Sequence, residues 1–496
     1  MAALLPVHNG EAVALADCPV LAEDAFAETL SGAVAAGARL AALLATPWPS
    51  GDMCLLAVLA DADDGVLRLA ASPVLESFPS LTPAIAQAHW FEREIAEVWG
   101  ITPVGHPWLK PVRFQPSAAG RPAPAIGVTD FFSMQGEEVH EVAVGPVHAG
   151  VIEPGHFRFQ CHGEIVHHLE ISLGYQHRGV ERALAGGPDR RTRHYVETLA
   201  GDTTIGHASA WARGMEALAG RRVSARAMAV RGVAAELERL ANHIGDLGAL
   251  AGDVGFLPTM SYCGRIRGDA LNMTALVCGN RFGRGLVVPG GVACDVGLDL
   301  AAELLRRLDA LEADTRGAVE LLFRAPSVLS RFEGIGTVAA ATAVAAGLVG
   351  PAARSCGLEV DVRQNFPYGI YRFAYIPICT WPSGDCFARA YVRWMEVQRS
   401  IEFLREQLRR LPAGETRQDI GSLPPDTLVV SLAEGWRGEI AHVALTDGSG
   451  RYRTYKVVDP SFHNWFGLAL ALRGQQISDF PLCNKSFNLS YCGHDL

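Results

Sequence analysis

The sequence predicts an α+β protein: a small N-terminal α/β domain, then a large, mainly α-helical bundle domain with small peripheral β-sheets. Three observations predict it. Short apolar runs alternate with helical stretches up to about residue 113, a proline-rich stretch follows, and long apolar stripes at helical spacing dominate the remainder. A chain of 496 residues with 49% hydrophobic composition also exceeds what one core usually contains.

The first domain, residues 1–114, carries the strand-like runs 54–59 (CLLAVL) and 66–69 (VLRL). The segment 115–126, QPSAAGRPAPAI, holds three prolines among small residues and reads as a linker, which we bound at 115–130. The second domain then runs from 131 to 496. Within it, Val397, Ile401, Leu404, Leu408 and Leu411 step by four and three and stop at Pro412, the pattern of one helix face. Leu237, Leu240, Ile244 and Leu247 form a second stripe, and Leu304, Leu308, Leu311 and Leu322 a third that ends before Pro326. Three such helices imply a bundle. The alanine-rich run from Thr337 to Val349 is too short for the roughly 20 residues of a bilayer crossing and reads as a buried helix. In the last 70 residues, 428–432 and 452–458 read as strands, with the turn 446–450 (TDGSG) ahead of the second, so a small sheet is expected beside the bundle.

Composition narrows the function. A net charge of -10, from 43 basic and 53 acidic residues, argues against a general nucleic-acid binder and points to protein or small-molecule partners. The 11 cysteines are odd in number, scattered, and nowhere form a CxxC pair, which supports neither a disulfide framework nor a zinc ribbon and suits a reducing cytosol. The first residues, MAALLPVHNGEAVALADC, lack a basic segment ahead of an apolar one, so no secretory signal is expected.

Ionisable groups concentrate between 145 and 207, where half of the histidines lie: His148, His156, His162, His167, His168, His177, His194 and His207, with Glu153, Glu164, Arg178, Glu181 and Arg182. Histidine titrates near neutrality, and such a cluster suits proton transfer or a polar ligand. For any single histidine the structural role, satisfying a buried carbonyl or lying on the surface, comes ahead of the functional one, and the cluster as a whole carries the argument.

The order of segments here resembles a known family. GPVHAGVIEPGHFRF (145–159), LGYQHRGVER (173–182), IGHASAWARGMEALAG (205–220), AELERLANHIGDLG (235–248), GRIRGDALNM (264–273), GPAARSCG (350–357), RGE (437–439) and ALRGQQISDFPL (471–482) are similar to the large subunit of membrane-bound nickel-iron hydrogenases of the formate hydrogenlyase type. They are equally similar to the homologous quinone-site subunit of respiratory complex I. WFEREIAEVWGI (90–101) with GHPWLKP (105–111) resembles the accessory subunit that docks beside it. Fusion of the two in one chain is typical of the hydrogenase branch.

The resemblance implies a redox module, peripheral on the cytoplasmic face of the inner membrane and without a transmembrane segment of its own. Its implied partners are a small iron-sulfur subunit that holds the cluster, antiporter-like membrane subunits, and a quinone as acceptor. The departures matter as much. Where the hydrogenases supply four cysteine ligands to nickel and iron, this chain carries Ala200, Thr203, Ser490 and Gly493, with Cys492 out of register. Alanine and glycine offer no ligand atom and a neutral hydroxyl is a poor one for a soft metal, so no metal and no other cofactor is expected on this chain. Cys483, Cys492 and His494 form only a weak alternative donor set. The tyrosine of the complex I quinone clamp aligns with Gly201, its histidine has no clean counterpart beyond His148 and His156, and Tyr195 and Tyr491 are substitutes that read equally as packed aromatics.

The retained framework gives the site candidates. Glu181, His207 and Arg437 are expected to line one cavity, with His148, His156, His177, Arg178, Arg265, Arg267 and Glu439 as ligand-binding candidates. The arginines serve either an anionic or carbonyl ligand or ion pairs that fix loops. The implied function is an electron-transferring subunit of a complex I-like oxidoreductase without hydrogen chemistry. A non-catalytic coupling subunit is the alternative, and an active nickel-iron hydrogenase is opposed by the four substitutions.

Overall fold

The computed structural model describes residues 4–120 and 122–496; Met1 to Ala3 of the N-terminal segment and Arg121 of the linker stretch lie outside the described residues. After the short strands β1 (Leu5–Val7) and β2 (Ala12–Ala14) comes helix α1 (Glu23–Ala35). Three long strands follow, β3 (Arg39–Pro47), β4 (Met53–Asp61) and β5 (Val66–Val74). Their apolar runs need partners on both faces, and they form an antiparallel sheet in the order β1-β5-β4-β3. Strands β6 (Ser77–Pro79) and β7 (Thr102–Val104) pair in parallel around α2 (His89–Trp99), which ends at Gly100 with φ 73°, a left-handed stop that glycine adopts without strain.

The described residues of the expected linker have no regular helix or strand, although Gln115 is buried and its backbone N–H donates to Glu97 at 2.8 Å. A three-stranded antiparallel sheet follows, β8 (Val139–Val144), β9 (His156–His162) and β10 (Ile165–Ser172). Two short helices, α3 (Val180–Leu184) and α4 (Thr192–Glu197), lead into α5 (Thr204–Leu218) and the long helices α6 (Ala225–Asp253) and α7 (Leu257–Cys278). The ribbon β11 (Val287–Val288) and β12 (Gly291–Val292) precedes α8 (Leu298–Arg324). Next come α9 (Pro326–Phe332), α10 (Ala340–Ala346), α11 (Gly350–Arg354), α12 (Val362–Asn365) and α13 (Cys386–Arg409).

All three expected stripes are helical. α6, α7, α8 and α13 pack as a bundle, and Leu237, Leu240, Ile244, Leu247, Val397, Ile401 and Leu404 are buried in its core. Ser224 caps α6 by accepting from the Ala227 N–H at 3.1 Å, and Asp385 caps α13 by accepting from the Ala388 N–H at 2.8 Å. Leu411 lies beyond the end of α13.

The run from Thr337 to Val349 differs from the expectation of a buried helix. Only Ala340–Ala346 is helical, and of these seven residues Ala343 and Ala346 alone are buried. Gly347, at φ 68°, ends the turn, and Gly384 beside Val338 ties the flank down. Alanine's high helix propensity is not enough to extend a segment whose outer face has nothing to pack against.

At the C-terminal end, β13 (Thr427–Gly435), β14 (Gly438–Thr446) and β15 (Tyr452–Val458) form an antiparallel sheet beside the bundle, as the two strand-like runs suggested. It is buried on both faces: α5 covers one, and β3 of the first sheet approaches β15 from the other. Its outer strand is β2, since Ala12–Ala14 pairs with Val429 to Thr427. One hydrophobic cluster accordingly joins Leu43, Leu56 and Val58 to Leu428, Val430, Val443 and Phe462. The chain closes with α14 (Pro460–Ala471), α15 (Phe480–Phe487) and α16 (Tyr491–Asp495). Among the described residues no helix is long and apolar enough to cross a membrane.

Candidate functional site

The 200–207 segment and the C-terminal tail meet beside the buried sheet. Arg178 staples them: its guanidinium donates to the carbonyls of Thr198 (2.6 Å), Leu199 (2.9 Å) and Cys492 (3.0 Å). Arg437, on the tight turn between β13 and β14, makes the second staple, with Nη1 and Nη2 on the two Asp202 oxygens at 2.6 and 2.8 Å and Nε on the Asn488 carbonyl at 2.5 Å. Burial works against its charge, but the Asp202 carboxylate outweighs burial and raises the guanidinium above its ordinary value. Gly350 and Gly438 let the turn lie backbone to backbone on α11, because a Cβ on Gly350 would collide with the Arg437 carbonyl.

His207 is completely buried on α5. Its Nε2 lies 3.0 Å from Asp459 Oδ2 and its Nδ1 3.1 Å from His442 Nε2, while His442 Nδ1 lies 2.8 Å from the Tyr455 hydroxyl. Burial first, then the neighbouring His207, holds His442 well below the ordinary histidine range, and burial keeps the Tyr455 hydroxyl protonated. Tyr455, His442, His207 and Asp459 thus form one hydrogen-bonded row. Asp459 also caps α14, accepting from the Ser461 N–H at 2.8 Å. Burial pushes its carboxyl up, yet the hydrogen bond to His207 and the Arg437 charge bring it below the usual carboxylate range.

The four positions at which the sequence resemblance implies metal-ligand cysteines, Ala200, Thr203, Ser490 and Gly493, surround these groups. Thr203 Oγ1 is 3.1 Å from Asp202 Oδ1 and 3.4 Å from Arg437 Nη1. Ser490 Oγ caps α16 by accepting from the Gly493 N–H at 2.9 Å, and sits 3.4 Å from Cys492 Sγ. A Cβ on Gly493 would fall 2.8 Å from Asp459 Oδ2 and 2.9 Å from Ser490 Oγ. Ala200 is fully buried, its carbonyl accepting from the Thr203 N–H at 3.1 Å.

Glu181 does not share a cavity with His207 and Arg437. It lines a separate cavity of about 360 Å³ with Glu94, Tyr455 and Lys456, whereas His207 and Arg437 do not line it. Its Oε1 accepts from Lys456 Nζ at 3.0 Å and from the Val457 N–H at 2.9 Å. Lys456 in turn holds both Glu94 oxygens at 2.6 Å, and Glu94 pairs with Arg113, so two cations pull the Glu94 carboxyl below its usual range against the effect of burial. Tyr455 is the contact between this cluster and the His207 row.

The remaining candidates disperse. His148 Nε2 is 2.8 Å from the Gly155 carbonyl and His156 Nδ1 is 3.2 Å from the Gly145 carbonyl, so both fasten the loop ahead of β9. His177 Nδ1 lies 2.7 Å from the Asp495 carbonyl. Arg265 is an exposed residue of α7 paired with Asp269 and Asp314, and Arg267 packs its Cδ near Gly245. Glu439 pairs with Arg39 of the first sheet at 2.5 Å. Tyr491 stands edge-on to Trp465 and Phe157, a packed aromatic, and Tyr195 packs against the core. His494 turns to Asp495 and Cys483 lies against Gly336, so these two and Cys492 do not converge. Asp459, His442, Lys456 and Glu94 escaped sequence reasoning. Asp459 alone had a signal, an aspartate followed by proline at a helix start.

The profile described as respiratory-chain NADH dehydrogenase, 49 Kd subunit, matches residues 253–423, and that of the 30 Kd subunit matches residues 26–123. The carbon monoxide-induced hydrogenase of Rhodospirillum rubrum is 32% identical over 352 residues, 70% of this chain and 97% of that protein. The chain belongs to the family of complex I 49 kDa subunits and their hydrogenase relatives. Formate hydrogenlyase subunit 5 of Escherichia coli (strain K12) is 28% identical over 436 residues, 84% of this chain and 76% of that protein. The hydrogenase-4 component G of the same organism is 28% identical over 435 residues, 84% of this chain and 75% of that protein. Both family modules are thus present, a 30 kDa-like one before a 49 kDa-like one.

The sequence resemblance places the ligands of the hydrogenases' nickel-iron group at the 200–203 and 490–493 segments. The residues present do not fit that group: the four side chains provide no thiolate, and the space beside Gly493 belongs to the Asp459 carboxylate and the Ser490 hydroxyl, both already hydrogen-bonded.

Proposed function

We propose that this chain is a subunit of a membrane-bound, energy-converting oxidoreductase complex of the complex I and hydrogenase-related type. In it the chain helps pass electrons from an iron-sulfur cluster of a small partner subunit to a quinone or another small acceptor, without hydrogen chemistry at a metal. The observation that carries the reading is the thiolate frame rebuilt from Thr203, Ser490 and Gly493 around the Asp202–Arg437 and His207–Asp459 pairs. A pocket that needs an open metal coordination position is here closed by protein charges that satisfy one another. Membership in the family supports the rest, including antiporter-like membrane subunits as partners and a peripheral place on the cytoplasmic face of the membrane.

The test is purification of the assembled complex, followed by metal analysis, dihydrogen-dependent dye reduction and reduction of short-chain quinones. We expect quinone reduction with neither nickel nor dihydrogen activity. Stoichiometric nickel overturns the reading. A second reading, a coupling subunit with no redox ligand of its own, is favoured by the complete burial of His207 and the closed Arg437 staple. Electron flow to no acceptor, with the iron-sulfur partner intact, would select it.

A further inference from the structure

A cavity of about 750 Å³ runs along α5 from Gly206, Glu238 and Trp436 at its start to the α5–α6 turn, bounded also by the N-terminal residues 8–10 and the segment 365–373. Its most telling wall residue is Arg213. Nη1 donates to the Leu432 carbonyl at 2.7 Å and reaches Ser431 Oγ at 3.3 Å, and the guanidinium lies 4.4 Å over the Tyr368 ring. No carboxylate meets it among the described residues. Nε and Nη2 have no protein acceptor there either, and a Cβ at Gly10 would come within 3.0 Å of Nη2, so glycine at this φ of +76° leaves the fork room. Burial pulls Arg213 down to about 10, against the opposing pull of Tyr368 and Glu216.

The carboxylates that share the cavity are already committed. Glu216 holds Arg231 in two hydrogen bonds of 3.0 and 2.5 Å, and Glu434 holds Arg354 at 2.8 Å. Glu238 accepts the Ile205 and Gly206 N–H groups at the start of α5, and burial lifts it to about 8, so it is largely protonated near neutrality. Arg221, Arg222 and Arg372 stand on the walls and add positive potential. In a chain of net charge -10, this is a pocket of the opposite sign.

We infer that this cavity binds a phosphorylated small molecule of about nucleotide size, its phosphoryl oxygens on the free Nε and Nη2 of Arg213 and steered in by Arg221, Arg222 and Arg372. A guanidinium fork matches two phosphoryl oxygens at once, and the volume exceeds what a bare inorganic anion fills. The ligand supplies the counter-charge that Arg213 lacks. Such binding is independent of any redox role.

The test is isothermal titration of the full-length chain with ADP and with inorganic pyrophosphate, at low and at physiological ionic strength. We expect saturable one-to-one binding that weakens with salt, and a loss of roughly ten- to a hundredfold in affinity in R213Q, the size of charged hydrogen bonds removed. R213K keeps the charge but not the fork, and should fall between R213Q and the parent. It also covers the case in which R213Q fails to fold. Absence of saturable binding for both probes overturns the inference, as does undiminished affinity in either folded variant.

Discussion

At the scale of single residues, Gly493 states most directly how the pocket has been rebuilt. Asp459 Oδ2 occupies the place a side chain there would need, 2.8 Å from its Cβ. Gly493→Cys is therefore expected to destabilise the protein by about 1–3 kcal/mol, the usual penalty for overpacking, rather than restore a ligand. Thermal unfolding checks this, and an unchanged melting temperature would show that Asp459 yields freely. Glu181 has a different standing. It is one arm of the Lys456 cluster with a side chain 24% exposed, so Glu181→Gln should cost about 1 kcal/mol or less and leave the fold intact. If the cluster communicates through Tyr455 with the His207 row, the same variant lowers quinone turnover of the assembled complex. Equal turnover of parent and variant would limit Glu181 to a structural role.

At the scale of elements, α13 depends on one carboxylate. Asp385 Oδ1 accepts from the Ala388 N–H and from Ser383 Oγ, each at 2.8 Å, and Oδ2 accepts the Gly334 N–H at 2.8 Å. Asp385→Ala removes a helix cap and a loop tie together, for an expected loss of about 2 kcal/mol, whereas Asp385→Asn keeps an acceptor and should lose less. Denaturant unfolding of the two variants checks the order. Elements of this kind were legible in the sequence, because a stripe such as Val397, Ile401, Leu404 and Leu408 encodes both its period and its buried face. β14 was not: GEIAHVALT is buried on both faces, shows no alternation, and so carries no signal of period two. The run 337–349 misled for the converse reason, since its alanines favour a helix that packing then fails to extend. The family resemblance named Ala200, Thr203, Ser490 and Gly493 as former ligand positions and expected Glu181, His207 and Arg437 around one cavity. It could not show that Arg437 and His207 had been captured by Asp202 and Asp459, because those partners lie far apart along the chain.

At the scale of the whole molecule, the fold stores many neutral histidines. Burial holds His89, His243 and His442 below the ordinary range and brings His463 down to about 3. In the unfolded chain each takes up a proton near 6.5, in the folded chain only at lower pH, so the unfolded state binds more protons in that interval. Stability is thus complete above about pH 6.5 and is lost progressively toward pH 3. We expect the melting temperature to fall as pH drops below 6.5, before ordinary carboxylates begin to titrate. His463→Gln should show a shallower fall, and a flat profile between pH 6.5 and 5 would contradict the assignment of buried neutral imidazoles.

The placement of Ala12–Ala14 as the outer strand of a sheet built by residues 427–458 has a topological consequence. The polypeptide closes on itself like a clasp, its head woven into its tail. A protease that severs the stretch around Pro122–Ile126 should leave two fragments that co-elute as one particle. Deleting the first fourteen residues should loosen the seam far more than so small a loss of mass suggests.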